Sequence, residues 1–323
     1  MPVFSIIVPA YNMQDYLEEA LESIAGQSFD DLEAIIVDDG STDATAEMAK
    51  RFCARDSRFQ YVNQQNRGLS ASRNLGTSLA TGAFIYYLDS DDWLDSDTLK
   101  ECYQVFTREE VDVVLFEADI FPADSPMYQF EEHYFLRPLG QSPMWSDDFV
   151  VNSLRQERYC VSANCLMARR SAIANLRFID GIVYEDNHFF LSLLLDQRRK
   201  VAVLNKKFYK RRLRPNSIMF TKKTPHHYYS MYRLLREMEN LSFGAIEPAA
   251  RASVKREIIG RTLGDLCFAS SLVGPALRLR QMNVSATWHV ATHVSPRLFT
   301  PKRVLLALVP ELYRLKAEAR LHR

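Results

Sequence analysis

The sequence predicts an α/β fold built on a mostly parallel, doubly wound sheet. Three observations predict it. Short apolar runs alternate with segments of helical periodicity through about the first ninety residues, the pattern of strands joined by crossover helices. The runs are apolar on both faces, as strands covered by helices on each side must be. A polar cluster follows each of three strands, at Tyr11-Asn12, Asp38-Asp39 and Asp89-Ser90-Asp91. These clusters converge on the carboxyl edge of one sheet, where open α/β folds bind ligands.

Taken in order, Phe4–Val8 (FSIIV) reads as a buried strand stopped by Pro9. From Asp15 the apolar positions Tyr16, Leu17, Ala20, Leu21 and Ile24 share one helical face. Leu32–Val37 is a second strand, and Ser41 or Thr42 is placed to cap a helix through Ala44–Cys53. Phe59–Asn63 is a third strand, Asn66-Arg67-Gly68 a turn, Leu69–Ala80 a helix broken by Gly82, and Ala83–Leu88 the next strand. A helix through Lys100–Thr107 and a strand at Val111–Phe116 follow. Residues 121–148, with four prolines and scattered aromatics, read as irregular chain beside the site. Leu166–Arg169 reads as a strand, Asn187–Leu195 as a helix, Val201–Tyr209 as extended, and Lys210–Ser217 as a basic loop. Beyond His226 the pattern is helical, with breaks near Gly244, Pro248, Gly274-Pro275 and Pro296.

Net charge is zero but unevenly spread. Residues 1–100 hold 17 acids and 7 bases, whereas residues 198–323 hold 7 acids and 26 bases. The basic part suits phosphate-bearing ligands or an anionic surface, or it neutralises the acidic part. Five cysteines without a CxxC pair argue for reduced thiols and against a zinc site. There is no basic-then-apolar signal peptide and no apolar run of bilayer length, so the expected setting is cytoplasmic, either free or peripheral on the inner face of the membrane.

The chemistry gathers around Tyr86–Trp93 (YYLDSDDW), where an apolar strand ends in three carboxylates within four positions. Clustered carboxylates repel one another, and a hard divalent cation bridging to phosphate oxygens offsets that cost. A solvated turn capping the next helix through Ser96 or Asp97 is the other reading. No GxGxxG follows the first strand, no GxxxxGK[ST] occurs and no GxSxG elbow is present. Dinucleotide oxidoreductases, P-loop enzymes and α/β-hydrolases are thereby disfavoured. The carboxylate-rich sheet edge instead suits a nucleotide whose phosphates are carried by metal rather than by a glycine loop.

Five motifs then occur in order: SIIVPAYN at 5–12, IIVDDGSTD at 35–43, NRGLSASRNLG at 66–76, YLDSDDW at 87–93 and YEDNHFF at 184–190. Together they make the chain resemble the family-2 glycosyltransferases of the GT-A fold, of the kind that build bacterial surface polysaccharides. The match covers roughly residues 1–215, leaving 216–323 as a helical, basic C-terminal region for acceptor, membrane-surface or oligomer contacts. The resemblance implies an inverting transferase that takes a nucleotide-sugar, expected to be UDP-linked, and a glycan or lipid-linked acceptor, with Mg²⁺ or Mn²⁺ as cofactor. It implies a base- and ribose-framing loop at Pro9, Ala10, Tyr11 and Asn12, and a uracil-binding acid at Asp39. Arg73 matches a basic residue near the nucleotide, or else closes the acidic edge by a salt bridge. The resemblance implies Asp89 nearer the ribose or a metal-bound water, Ser90 as a further donor-binding residue, and Asp91 as the direct metal ligand. Asp186 is implied as catalytic base, with Glu185 the runner-up and helix capping the structural alternative for Asp186. A non-catalytic sugar-nucleotide-binding or assembly protein on the same fold is the competing function. No nucleic-acid partner is expected.

The sequence departs from processive members of that family, since it has neither a QxxRW-type motif nor membrane helices. The Arg211–Arg214 stretch is placed to clamp a diphosphate or to form a solvated turn. In Pro301–Arg323, apolar Val304, Leu305, Leu308, Leu312 and Leu315 lie beside Lys302, Arg303, Arg314, Lys316 and Arg320. Such a stripe suits an anionic membrane surface, or packing on the main domain or on a second subunit.

Overall fold

The computed structural model describes residues 1–122, 133–214, 217, 221–273 and 277–312. Among these, nine strands form one sheet: β1 (Phe4–Ala10), β2 (Leu32–Asp38), β3 (Phe59–Asn63), β4 (Phe84–Tyr87), β5 (Trp93–Leu94), β6 (Val113–Phe121), β7 (Met144–Trp145), β8 (Leu166–Arg169) and β9 (Lys200–Arg212). Their order is β3-β2-β1-β4-β8-β6-β9-β5, with β7 also on β9. β1 runs parallel to both β2 and β4, and β2 runs parallel to β3. β8 runs antiparallel to both β4 and β6. The chain reverses its direction of winding between β1 and β4, the position where such sheets open a ligand crevice.

The expected α/β alternation is present, with helices Leu17–Ala25, Thr45–Arg55 and Leu69–Leu79 joining the first four strands. Alternate residues of each strand feed two cores. Ile7, Ile35, Val37, Ile85 and Tyr87 face one side, and Phe4, Ile6, Val8, Ile36 and Tyr86 the other. The first core runs without a break into the C-terminal helices through Tyr228, Leu234, Ile259 and Leu263.

Several local expectations need correcting. Pro9 does not stop β1, which continues to Ala10. Pairing with β4 ends at Ile7–Tyr87, so the missing N–H of Pro9 falls where no ladder bond is required. The second helix begins at Thr45, and its first turn is held by Asp43, whose Oδ1 accepts from Thr45 N–H (3.0 Å), rather than by Ser41 or Thr42. Lys210–Arg212 is the end of β9 rather than loop, because β6 extends to Phe121 and pairs with it to the last residue. The 121–148 stretch contains β7 and the start of a helix, Ser146–Arg155; its residues 123–132 lie outside the described residues, as do Pro215, Asn216, Arg314, Leu315, Lys316 and Arg320.

Opposite the crevice, Glu33 ties the amino ends of the strands together. Its carboxylate accepts from Ser5 Oγ (2.5 Å), Thr81 N–H (2.7 Å) and Gly82 N–H (3.2 Å). Burial alone would raise its pKa, but these donors outweigh burial and hold it below the usual value. The edge away from the crevice is thus rigid, and the loops at the carboxyl edge hang from a fixed frame.

Candidate active site

Two loops at the ends of β1 and β2 are stitched together by reciprocal bonds. Asn12, in a left-handed conformation (φ 53°), accepts from Thr42 N–H through Oδ1 (2.8 Å), and its own N–H donates to Ser41 Oγ (3.0 Å). Met13 N–H donates to Thr45 Oγ1 (2.7 Å), and Ala44 N–H to Gln14 Oε1 (3.0 Å). Pro9 and Ala10 are the last residues of β1, and Tyr11 projects from its end with 43% of its surface exposed. An exposed ring on a fixed loop offers a flat apolar face.

Asp38 and Asp39 close β2. Asp38 is structural, accepting from Tyr61 Oη (2.7 Å) and Ser41 N–H (2.9 Å). Asp39 accepts from Gln64 Nε2 (2.7 Å) and Arg67 N–H (2.9 Å) at Oδ1 and from Gly68 N–H (2.7 Å) at Oδ2. Asp39 therefore folds the 64–68 turn over the crevice, and Oδ2 keeps the larger share of its accepting capacity. Gly68 adopts φ 89°, which an L side chain resists, so the turn needs glycine there.

Arg73, on the Leu69–Leu79 helix, lies at the centre and is 1% exposed. Its Nη1 donates to Glu185 Oε1 (2.7 Å) and to Asp186 Oδ1 (2.7 Å). Its Nη2 donates to Asp89 Oδ1 (2.9 Å) and, more weakly, to Asn164 Oδ1 (3.4 Å). The guanidinium also lies over the Phe178 ring, 5.1 Å from its centroid. Burial would lower its pKa, but three carboxylates reverse that effect and hold it charged. Its ion pairs join the acids of the carboxyl edge.

The three aspartates after β4 diverge in environment. Asp89 also accepts from Asn164 Nδ2 (2.7 Å). Asp91 receives Arg214 Nε (2.6 Å). Asp92 is buried and accepts from the Tyr209 hydroxyl and from Arg212 N–H (2.6 Å). Burial, and then the charges of neighbouring aspartates, push the Asp91 and Asp92 carboxyls upward. Carboxylate oxygens of Asp89, Asp91 and Asp92 lie within 4.8 Å of one another. Among the described residues, the ion pairs that run from this group of acids and from Glu185 and Asp186 are with Arg73 and Arg214. That excess of negative charge and all-oxygen donor set fit a hard divalent cation such as Mg²⁺ or Mn²⁺. Ser90 is buried between the acids.

Glu185 and Asp186 open the helix Glu185–Leu195, preceded by Tyr184 in a left-handed conformation (φ 69°). Asp186 does not cap this helix. Its Oδ2 accepts instead from Ala163 N–H (3.1 Å). Burial raises both carboxyls, Glu185 to about 7, with Asp186's charge the next contribution there. The Asp186 side chain is 22% exposed and that of Glu185 only 8%, so Asp186 is the one an incoming group can reach.

The site thus unites Asp89, Arg73, Glu185 and Asp186 directly, with Asp91 beside them. Asp39, Tyr11 and Asn12 line the neighbouring strand ends. Sequence reasoning missed Asn164, Ala163 and Tyr209. Asn164 bridges Asp89 and Tyr209, donating to the Tyr209 hydroxyl at 2.9 Å. Ser162 and Asn164, just ahead of the apolar strand that starts at 166, were the available signal.

A family model described as glycosyl transferase family 2 matches residues 5–177. Glycosyltransferase GlyA of Streptococcus pneumoniae serotype 4 is 30% identical over 69% of this chain and 32% of its own length. The uncharacterized glycosyltransferase EpsJ of Bacillus subtilis is 30% identical over 68% of this chain and 63% of its own. The chain therefore spans about a third of GlyA and less than two thirds of EpsJ. Among solved structures, residues 1–349 of TarS from S. aureus in complex with UDP-GlcNAc superpose with a TM-score of 0.66 at 20% identity, covering 98% of this chain and 92% of that one. The mannosyltransferase PcManGT of Pyrobaculum calidifontis, in complex with GDP-Man and Mn²⁺, gives 0.55 at 16% identity, with 97% and 88% covered. These likenesses bear out the fold read from the strand and helix pattern.

Proposed function

The chain belongs to glycosyl transferase family 2, and from that premise we propose that it is an inverting, metal-dependent transferase that moves a sugar from a UDP-sugar to an acceptor hydroxyl in surface-polysaccharide assembly. One observation carries the reading: Arg73 joins Asp89, at the end of β4, to Glu185 and Asp186, at the start of a helix 112 and 113 residues further on than Arg73 itself. Donor-side and acceptor-side carboxylates thus meet in one crevice.

In this reading Asp186 accepts the proton of the acceptor hydroxyl as that oxygen attacks the anomeric carbon from the face opposite the leaving diphosphate, so an α-linked donor yields a β-linked product. Ala163 N–H and Arg73 fix the carboxylate's orientation, and its raised pKa makes it a better base than a solvated aspartate. Asp91, with Asp89 beside it, would hold the divalent cation, which when bound neutralises the diphosphate as a leaving group. Tyr11 stacks on the base, Asn12 sets the loop, and Oδ2 of Asp39 accepts from the uracil N3–H. Arg214, which pairs with Asp91, and Arg212 beside it would clamp the diphosphate. Residues 1–215 form the donor and catalytic part, and 216–323 the acceptor side. The UDP assignment draws support from the UDP-GlcNAc complex of the TarS neighbour, and the surface-polysaccharide setting from a minor teichoic acid biosynthesis protein of Bacillus subtilis, GgaB, that is 25% identical over 74% of this chain.

The test is Asp186→Asn. Transfer should vanish while a thermal-shift panel of nucleotide-sugars with Mn²⁺ still shows donor binding, since a ligand of the native state raises the melting point. Parental turnover in that variant removes Asp186 as base, and a flat panel removes the nucleotide-sugar reading.

A further inference from the structure

The C-terminal helices carry an apolar surface that the crevice does not use. Helix Leu277–His293 and helix Pro301–Leu308 meet along a groove of about 150 Å³, lined by Val284, Thr287, Trp288, Phe299, Val304 and Ala307. Trp288 is 60% exposed and stands edge-to-face against Phe299 at 5.5 Å. Leu305 and Leu308 extend the same surface and are about half exposed. Isolated exposed apolar residues are ordinary, but a contiguous patch with a tryptophan at its rim marks a contact surface.

The charge around the patch selects the occupant. Residues 277–312 hold five bases (Arg278, Arg280, Arg297, Lys302 and Arg303) and one acid, Glu311. That acid is already paired with Arg280 (2.6 Å). Arg297 lies two positions before Phe299 and Lys302 follows Pro301 directly in the chain, both exposed and without an ion pair among the described residues. A second copy docked on this face would set like charges against each other. An anionic bilayer surface accepts both features, with the ring and leucines entering the headgroup–acyl boundary and the bases meeting lipid phosphates. No helix of the described residues is long and apolar enough to cross a membrane, so the contact is interfacial.

We propose that the face formed by Trp288, Phe299, Leu305 and Leu308, framed by Arg297 and Lys302, docks the protein onto an anionic phospholipid surface. The inference is independent of the donor reading, because it concerns residues remote in sequence from the crevice and its test needs no substrate.

Flotation of the full chain tests it, with vesicles of phosphatidylcholine alone and of phosphatidylcholine with phosphatidylglycerol, two to one. The protein floats with the anionic vesicles only, and less as salt rises. Each base at the surface multiplies binding about fivefold, so Arg297→Glu with Lys302→Glu reduces it more than tenfold. Trp288→Ser with Phe299→Ser reduces binding to the anionic vesicles to background. All four positions are exposed, and matched melting curves confirm that the variants fold. Absence of flotation with anionic vesicles overturns the proposal, as does flotation that neither pair of substitutions alters. A dimer by light scattering that Trp288→Ser with Phe299→Ser converts to monomer also overturns it, assigning the face to a second copy of the chain.

Discussion

Glu185 shows most clearly how a single residue's surroundings set a measurable property. Burial raises its carboxyl to about 7, and the neighbouring charge of Asp186 adds to the effect more than Arg73 offsets it. A carboxyl that binds its proton more tightly in the folded than in the unfolded chain adds stability at pH below the unfolded value of about 4.3. That stability is lost as pH climbs through the folded value. Without divalent cation, the melting temperature should therefore fall between about pH 5 and pH 8, and Glu185→Gln should flatten that slope; circular dichroism melts across the range check both. Asp91→Ala should weaken Mn²⁺-dependent donor binding by at least tenfold, read by calorimetry with and without the ion. The acids at this scale were legible, because Asp39, Asp89, Asp91 and Asp186 each follow an apolar run or open one. Their partners were not. Asn164 reaches Asp89 from 75 residues away and Tyr209 reaches Asp92 from 117 residues away, and nothing local in a sequence announces a partner at such distance.

At the scale of elements, the strands and helices up to residue 109, β5 apart, follow the periodicity closely, since each buries a face that the pattern spells out. The misses have physical causes. β5 and β7 are two residues each, too short for any period to register. The 121–148 stretch mixes prolines with core positions, and Arg137 within it is fully buried, its guanidinium donating to the carbonyls of Phe116, Cys160 and Cys165 at 2.7–3.0 Å. Tight strand approach makes one glycine a sharp test. A Cβ on Gly82 would meet the backbone of Phe4 and Ser5 at 2.7 Å. Main chain in a central strand cannot yield, so Gly82→Ala should destabilise the fold by about 1–3 kcal/mol, visible in urea denaturation, with the crevice residues untouched.

For the whole molecule, the split at residue 215 is one of proposed labour rather than of core. Phe189, Leu193 and Leu194 on the sheet side share one apolar cluster with Leu234, Ile259 and Leu263 on the C-terminal side. A chain ended at residue 215 should consequently aggregate or melt well below the parent, a comparison that size-exclusion chromatography and calorimetry settle. The uneven charge, −10 over residues 1–100 and +19 over residues 198–323, was readable from composition, and the structure brings the two together where Arg212 and Arg214 reach Glu19 and Asp91. Arg73 carries a wider consequence. One guanidinium answers to Asp89 at the end of β4 and to Asp186 at the start of a helix, so loosening either side retunes the other through the shared cation. Asp89→Asn and Asp186→Asn made singly and together should depart from additivity by about 0.5–3 kcal/mol in a thermodynamic cycle: the crevice behaves as one cooperative ionic lattice with two mouths.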